Sequence, residues 1–139
     1  MRRARSDELA LCLGIRREVF VAEQGVPVDE EIDGRDARCL HFLAFVGTDA
    51  VGTARLRFTD DGHAKAERVA VRRALRATGA GTLLMRGLED EARVRGHDRL
   101  VLNAQVQVLP FYEKLGYTID GPEFLETGIA HRAMSKRLT

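Results

Sequence analysis

The stretch Arg76-Ala77-Thr78-Gly79-Ala80-Gly81-Thr82 decides the fold, because it joins two runs of different period. Before it, residues 65–71 alternate and end on Val69 and Val71, the pattern of a strand. After it, residues 79–95 place Leu84, Leu88 and Ala92 on one side of a helix that Gly96 stops. A strand passing through an Arg- and Gly-bearing turn into a helix leaves free amide N–H groups and the positive end of the helix dipole at the turn, a setting for an anion. Arg76 would add a charge-assisted contact.

Working outward, residues 6–22 read as a helix capped by Ser6 or Asp7, with Leu9, Leu13, Arg16, Val19 and Phe20 at helical spacing and a break at Gly25 and Pro27. Residues 39–46 and 50–58 read as a hairpin turning at 47–49, followed by the strand 65–71. On the far side, 100–103 reads as a short strand and 110–115 as a short helix ended by Gly116. Residues 117–119 and 131–138 read as closing strands, joined by a loop over 121–128. The order predicts a single α+β (mixed α/β) domain over 1–139.

Composition narrows the function classes. The 139 residues carry 22 basic and 21 acidic side chains, net +1, which provides no global field for nucleic acid. No apolar run approaches a membrane span, and the apolar stretch 9–13 is too short for a secretory leader, so a cytoplasmic protein without a membrane partner is expected. Cys12 and Cys39 have no metal-ligand spacing and read as buried thiols, and no metal is expected.

Two nucleotide loops are excluded by spacing. A Walker loop needs Gly-Lys-Ser/Thr, and a dinucleotide fingerprint needs a third glycine where Leu84 stands. What remains, Arg76-x-x-Gly79-x-Gly81, resembles the acetyl-CoA signature of the GNAT N-acetyltransferases. A second GNAT-like set is Phe111-Tyr112-Glu113-Lys114-Leu115-Gly116-Tyr117. A third resembles the ElaA-type subgroup: Arg16-Arg17-Glu18-Val19-Phe20, Glu23-Gln24-Gly25-Val26-Pro27, Gly52-Thr53-Ala54-Arg55-Leu56, Ala104-Gln105 and Gly128-Ile129-Ala130-His131.

The resemblance implies a twisted mixed sheet of six to seven strands flanked by about four helices, with the donor in a splay between two parallel strands. It implies acetyl transfer from acetyl-CoA to a primary amine, a small molecule or a peptide, by direct attack. It also permits a homodimer. By the same likeness the backbone of Val69, Ala70 and Val71 would bond the pantetheine arm. Arg76, Ala77, Thr78, Gly79, Ala80, Gly81 and Thr82 would hold the pyrophosphate, and Phe111 would border the donor. Gln105 stands where many relatives carry asparagine and enters as a further donor contact. Tyr112 would protonate the departing thiolate.

The base has two candidates. Glu67 would share a strand face with Val69 and Val71 by the two-residue period, and His131 belongs to the residue type that titrates near neutrality. Arg16, Phe20, Glu23, Gln24 and Arg55 would border the acceptor. The acidic stretch 29–33, with Asp36, would attract a cationic amine or simply be solvated. Two other readings stay open. Arg16, Phe20, Asp33, Asp36 and Arg55 also resemble the polar set of acyl-homoserine-lactone synthases, and a non-catalytic acyl-CoA-binding module would keep the same loop.

Overall fold

The computed structural model describes residues 1–138; Thr139, the last residue of the expected domain, lies outside them. Apolar side chains on both faces of one sheet set the architecture. Along β2 (Leu40–Val46), Phe42 and Ala44 face one side and Leu43 the other, as the strand period demands. The first side packs against α3 (Ala80–Val94), whose Leu84, Met85, Leu88 and Ala92 are fully buried. The second side receives Cys12, Ile15 and Val19 of the N-terminal helical segment.

The sheet has eight strands rather than six or seven, because two short ones escape the sequence pattern. These are β1 (Arg2–Arg3) and β7 (Phe124–Glu126). The remaining strands are β3 (Asp49–Phe58), β4 (Ala64–Val71), β5 (Arg99–Gln105), β6 (Thr118–Ile119) and β8 (Ile129–Arg137). The order is β1-β2-β3-β4-β5-β8-β6, with β7 paired to β8. Among the described residues β4 and β5 are the one parallel pair, joined through α3.

The N-terminal helix differs from its expected form. Neither Ser6 nor Asp7 caps it; they lie in a 3-10 turn, and the Glu8 carboxylate accepts the Arg5 N–H at 2.9 Å while Arg2 grips it at 2.7 Å. α1 then runs over Leu9–Arg16 and widens into a π-helical stretch, Arg17–Glu23, before Gly25 ends it. Such widened turns recur at functional sites. A one-turn helix, α2 (Val28–Glu31), occupies part of the acidic stretch, and α4 (Leu109–Lys114) carries its proline in the first turn. Cys12 and Cys39 are both buried free thiols. Among the described residues no helix is long and apolar enough to cross a membrane.

Candidate active site

β4 and β5 pair only at Ala64↔Leu100, Lys65↔Val101 and Ala66↔Leu102, then diverge. The divergence begins at a bulge. Arg68 adopts φ +55°, and opposite it β3 advances from Thr53 to Arg55 while β4 retreats from Ala70 to Glu67, three residues against two. A bulge bends its strand and shifts the alternation of side chains. Ala66 therefore joins the core beneath α3, whereas Ala70 joins the core beneath α1. Val69 and Val71 pack on the α3 side. Glu67 consequently lies on the opposite face from Val69 and Val71, against the expectation from simple alternation.

The splay opens into a cavity of about 760 Å³ lined from both faces of the sheet. Tyr112 and Val69 border it from the α3 side, and Phe20 and Glu23 of the π-helical stretch, with Gln24 just after it, from the other. His131 and Glu126 close one wall.

Arg76, which begins the loop of residues 76–82, lines the cavity. Gly79 enters α3 with φ +91°, a conformation glycine alone adopts freely, and Ala77 also turns left-handed at φ +67°. No side chain caps α3, and Leu83 makes the first bond back, to Gly79, so the amides of Ala80, Gly81 and Thr82 await another acceptor. Phe111 packs on this turn: a Cβ on Gly81 would lie 3.1 Å from its ring. The Thr78 hydroxyl is used internally, donating to the Leu75 carbonyl. Arg76 donates through Nε to the Val71 carbonyl at 3.0 Å, and its fork grips Glu23 at 2.5 and 2.8 Å. The structure thus joins a residue expected at the donor to one expected at the acceptor. Gln105 likewise donates to Gln24 at 2.9 Å across the cleft.

Tyr112 is 8% exposed, its ring edge-on to Phe111 at 4.9 Å and to Tyr117 at 5.9 Å. Burial pushes its phenol well above the ordinary value, so it stays protonated. Its hydroxyl makes no hydrogen bond to a described residue, while Tyr117 spends its own on Glu89 at 2.8 Å. His131 donates Nδ1–H to the Ile129 carbonyl at 2.7 Å, which leaves Nε2 as the acceptor of the neutral ring. Glu126 stands 3.6 Å from that nitrogen and takes a hydrogen bond from Asn103 at 3.3 Å. Glu126 and Asn103 escaped the sequence reading as a pair because they meet only through the pairing of both β7 and β5 with β8.

Glu67 lines the cavity, yet Arg55, Arg57 and Lys65 surround it at 2.7, 2.9 and 3.4 Å. Burial would raise its pKa, but the bonds from Arg57 and Arg55 and the charge of Lys65 outweigh this and hold it at about 2. A carboxylate so depressed is a poor proton acceptor.

Arg16 and Arg55 depart from their expected place. They are 0% and 1% exposed, and neither lines the cavity. Arg16 pairs with Glu31 at 2.9 Å and Asp36 at 2.6 Å; Arg55 pairs with Asp33 at 2.8 Å, Asp36 at 3.0 Å and Glu67. The acids Glu31, Asp33 and Asp36 are therefore engaged by arginines, and these pairs fasten their segment to the sheet. Burial opposes ionisation of Asp33 and Asp36, but the bonds from Arg55 and Arg16 prevail and lower both, as for Glu67. Carboxyls depressed by folding stabilise fully above their unfolded values and lose that effect as pH falls through their folded ones. The urea midpoint should thus fall as pH drops from 4.5 to about 2, the range over which folding depresses Glu67; a midpoint flat over that range would contradict these pairs.

The acetyltransferase (GNAT) domain model matches residues 8–138. The chain is 42% identical over 123 residues to the uncharacterized N-acetyltransferase YjcF of Bacillus subtilis, covering 88% of this chain and 87% of that one. Its structure resembles Escherichia coli ElaA with a TM-score of 0.83 and 29% identity, over 96% of this chain and 93% of the other. An acyl-CoA N-acyltransferase from Pseudomonas aeruginosa matches with a TM-score of 0.82 and 30% identity, over 96% and 92% of the two chains.

Proposed function

Because the chain belongs to the GNAT acetyltransferase family and is an acyltransferase, we propose that it moves an acetyl group from acetyl-CoA to a primary amine by direct attack within the splay between β4 and β5. The observation that carries this reading is the cavity passing between the two strands, lined by Tyr112, His131 and Arg76, the last leading into an uncapped helix start. A related protein from Pseudomonas aeruginosa, named as an acyl-CoA N-acyltransferase, supports an acyl-CoA donor.

The residues fit that donor. The amides of Ala80, Gly81 and Thr82, with the dipole of α3, would hold its pyrophosphate, joined by Arg76 once released from Glu23. The edge of Val69, Ala70 and Val71, which has no ladder partner on β5, would bond the pantetheine amides and polarise the thioester carbonyl through an N–H. The acceptor enters from the α1 side as a free amine. Nitrogen bonds to the acetyl carbon, the carbon–sulfur bond breaks, Nε2 of His131 accepts the proton leaving nitrogen, and Tyr112 gives its phenolic proton to the thiolate. Glu126 would steady the charged imidazole. Glu67 serves as the anchor of its cations rather than as the base.

Direct attack is tested by initial rates with both substrates varied and by the mass of the protein after acetyl-CoA alone. Intersecting rate patterns and an unmodified protein are expected; parallel lines with an acetylated protein would overturn the mechanism. The Arg76–Glu23 pair gives a second expected outcome. An exposed ion pair contributes up to about 1 kcal/mol, so Glu23→Gln should tighten acetyl-CoA binding by roughly two- to fivefold in calorimetric titration. Weaker binding would show that Glu23 helps hold the donor instead of competing with it.

A further inference from the structure

We propose that the amine acceptor carries an anionic group, a carboxylate or phosphate, held by Arg35, Arg57 and Lys65 on the order of 10 Å from the reacting nitrogen. The inference rests on the acetyl-transfer reading above and names its substrate class. It begins with a charge imbalance. The ion-pair web on the α1 face of the sheet joins five cations, Arg16, Arg55, Arg57, Lys65 and Arg68, to only four carboxylates, Glu31, Asp33, Asp36 and Glu67. Arg35 adds a sixth cation that has no ion pair among the described residues. Like charges gathered in one place repel one another, and an added anion relieves that repulsion.

The surplus is placed where a ligand passes. Arg35, Arg57 and Lys65 line the strip shared by the main cavity and a second of about 450 Å³ that continues along the same sheet to Asp120 and Met134. The residues common to the two cavities include these three cations and no carboxylate; Glu30, Glu31, Asp33 and Glu67 line the main cavity beyond the strip, and Asp61 and Asp120 line the second. Glu67 is divided among three cations, and Asp61, at the outer end, is engaged with Thr59 and His63. Arg57 and Lys65 face each other across β3 and β4, so their head groups form one patch. From Lys65 to Arg68, where the splay opens, is three residue steps of about 3.3 Å each. An anion on the patch would therefore leave a nitrogen about 10 Å away at the splay. The glutamates there, Glu126 among them, suit the cationic end of the same molecule.

The test compares ω-amino carboxylates from glycine to 8-aminooctanoate, each against its neutral amide, with 6-aminohexyl phosphate as the phosphate arm and free-thiol release as the readout. For the longer chains kcat/KM should exceed that of the amide by at least tenfold, chiefly through KM, with no such advantage for glycine. Arg35→Ala, an exposed and unpaired position, should collapse that ratio to within about threefold of one, and Lys65→Met should do the same independently. A ratio near one in the wild type while the amides turn over would overturn the acceptor class and leave acetyl transfer standing. A large ratio that survives both substitutions would overturn the placement on this patch. Failure of every acceptor to release thiol while acetyl-CoA binds would overturn the acetyl-transfer reading itself, and this proposal with it.

Discussion

Replacing Tyr112 with Phe should lower kcat by about 10²- to 10⁴-fold at saturating donor and acceptor, the usual contribution of a positioned general acid. The phenol is the only part removed. The ring keeps its edge contacts with Phe111 and Tyr117, and no hydrogen bond to a described residue is lost, so the melting temperature and the Kd for acetyl-CoA should stay close to wild type. Tyr112 carries its proton at working pH, as a donor must, since burial raises a phenol pKa that is already high. Stopped-flow or steady-state thiol release with the wild type and Tyr112→Phe decides the point. Wild-type kcat in Tyr112→Phe would remove the tyrosine from the chemistry and leave it a packing residue.

The second large effect falls on stability. Arg55→Ala should destabilise the fold by about 3–5 kcal/mol, since it leaves Asp33, Asp36 and Glu67 without a shared buried cation. For a chain of this length that is a loss on the order of 10 °C in Tm. Arg55→Lys should recover only part of it, because one ammonium cannot bridge three carboxylates as a planar fork does. Calorimetry of both variants is the check. A Tm within 2 °C of wild type in Arg55→Ala would show that the acidic loop is held by packing rather than by these pairs.

These two residues also mark the limit of what the sequence carried. The hairpin β2–β3, the helix α3 and the turn between Val71 and Ala80 were legible because each depends on local period and on glycine placement. Tyr112 was legible through a motif set in a short helix with its own proline start. Arg55 and Arg16 were expected at the acceptor because a sequence displays charge but hides partners. Those partners lie 12 to 22 residues away from them in the chain, in α2, the segment after it and β4. The strand face of Glu67 was hidden for a different reason. A single left-handed residue, Arg68, adds one position to β4 and reverses the faces that strict alternation assigns. The strand β7 is three residues long, too short for any period to show, and Glu126 was not paired with His131 in consequence.

The splay itself was expected from resemblance and is explained by the same bulge. Three parallel register pairs hold the strands together, and beyond Ala66 and Leu102 the bent strand leaves its neighbour's edge free. What the molecule does with that opening is the central claim. The most direct test is thiol release from acetyl-CoA across a broad panel of primary amines, with the acetylated product identified by mass. The account predicts release that requires an amine and yields one acetylamide per thiol. Tight acetyl-CoA binding with no amine-dependent thiol release would contradict it and make the chain a binding module.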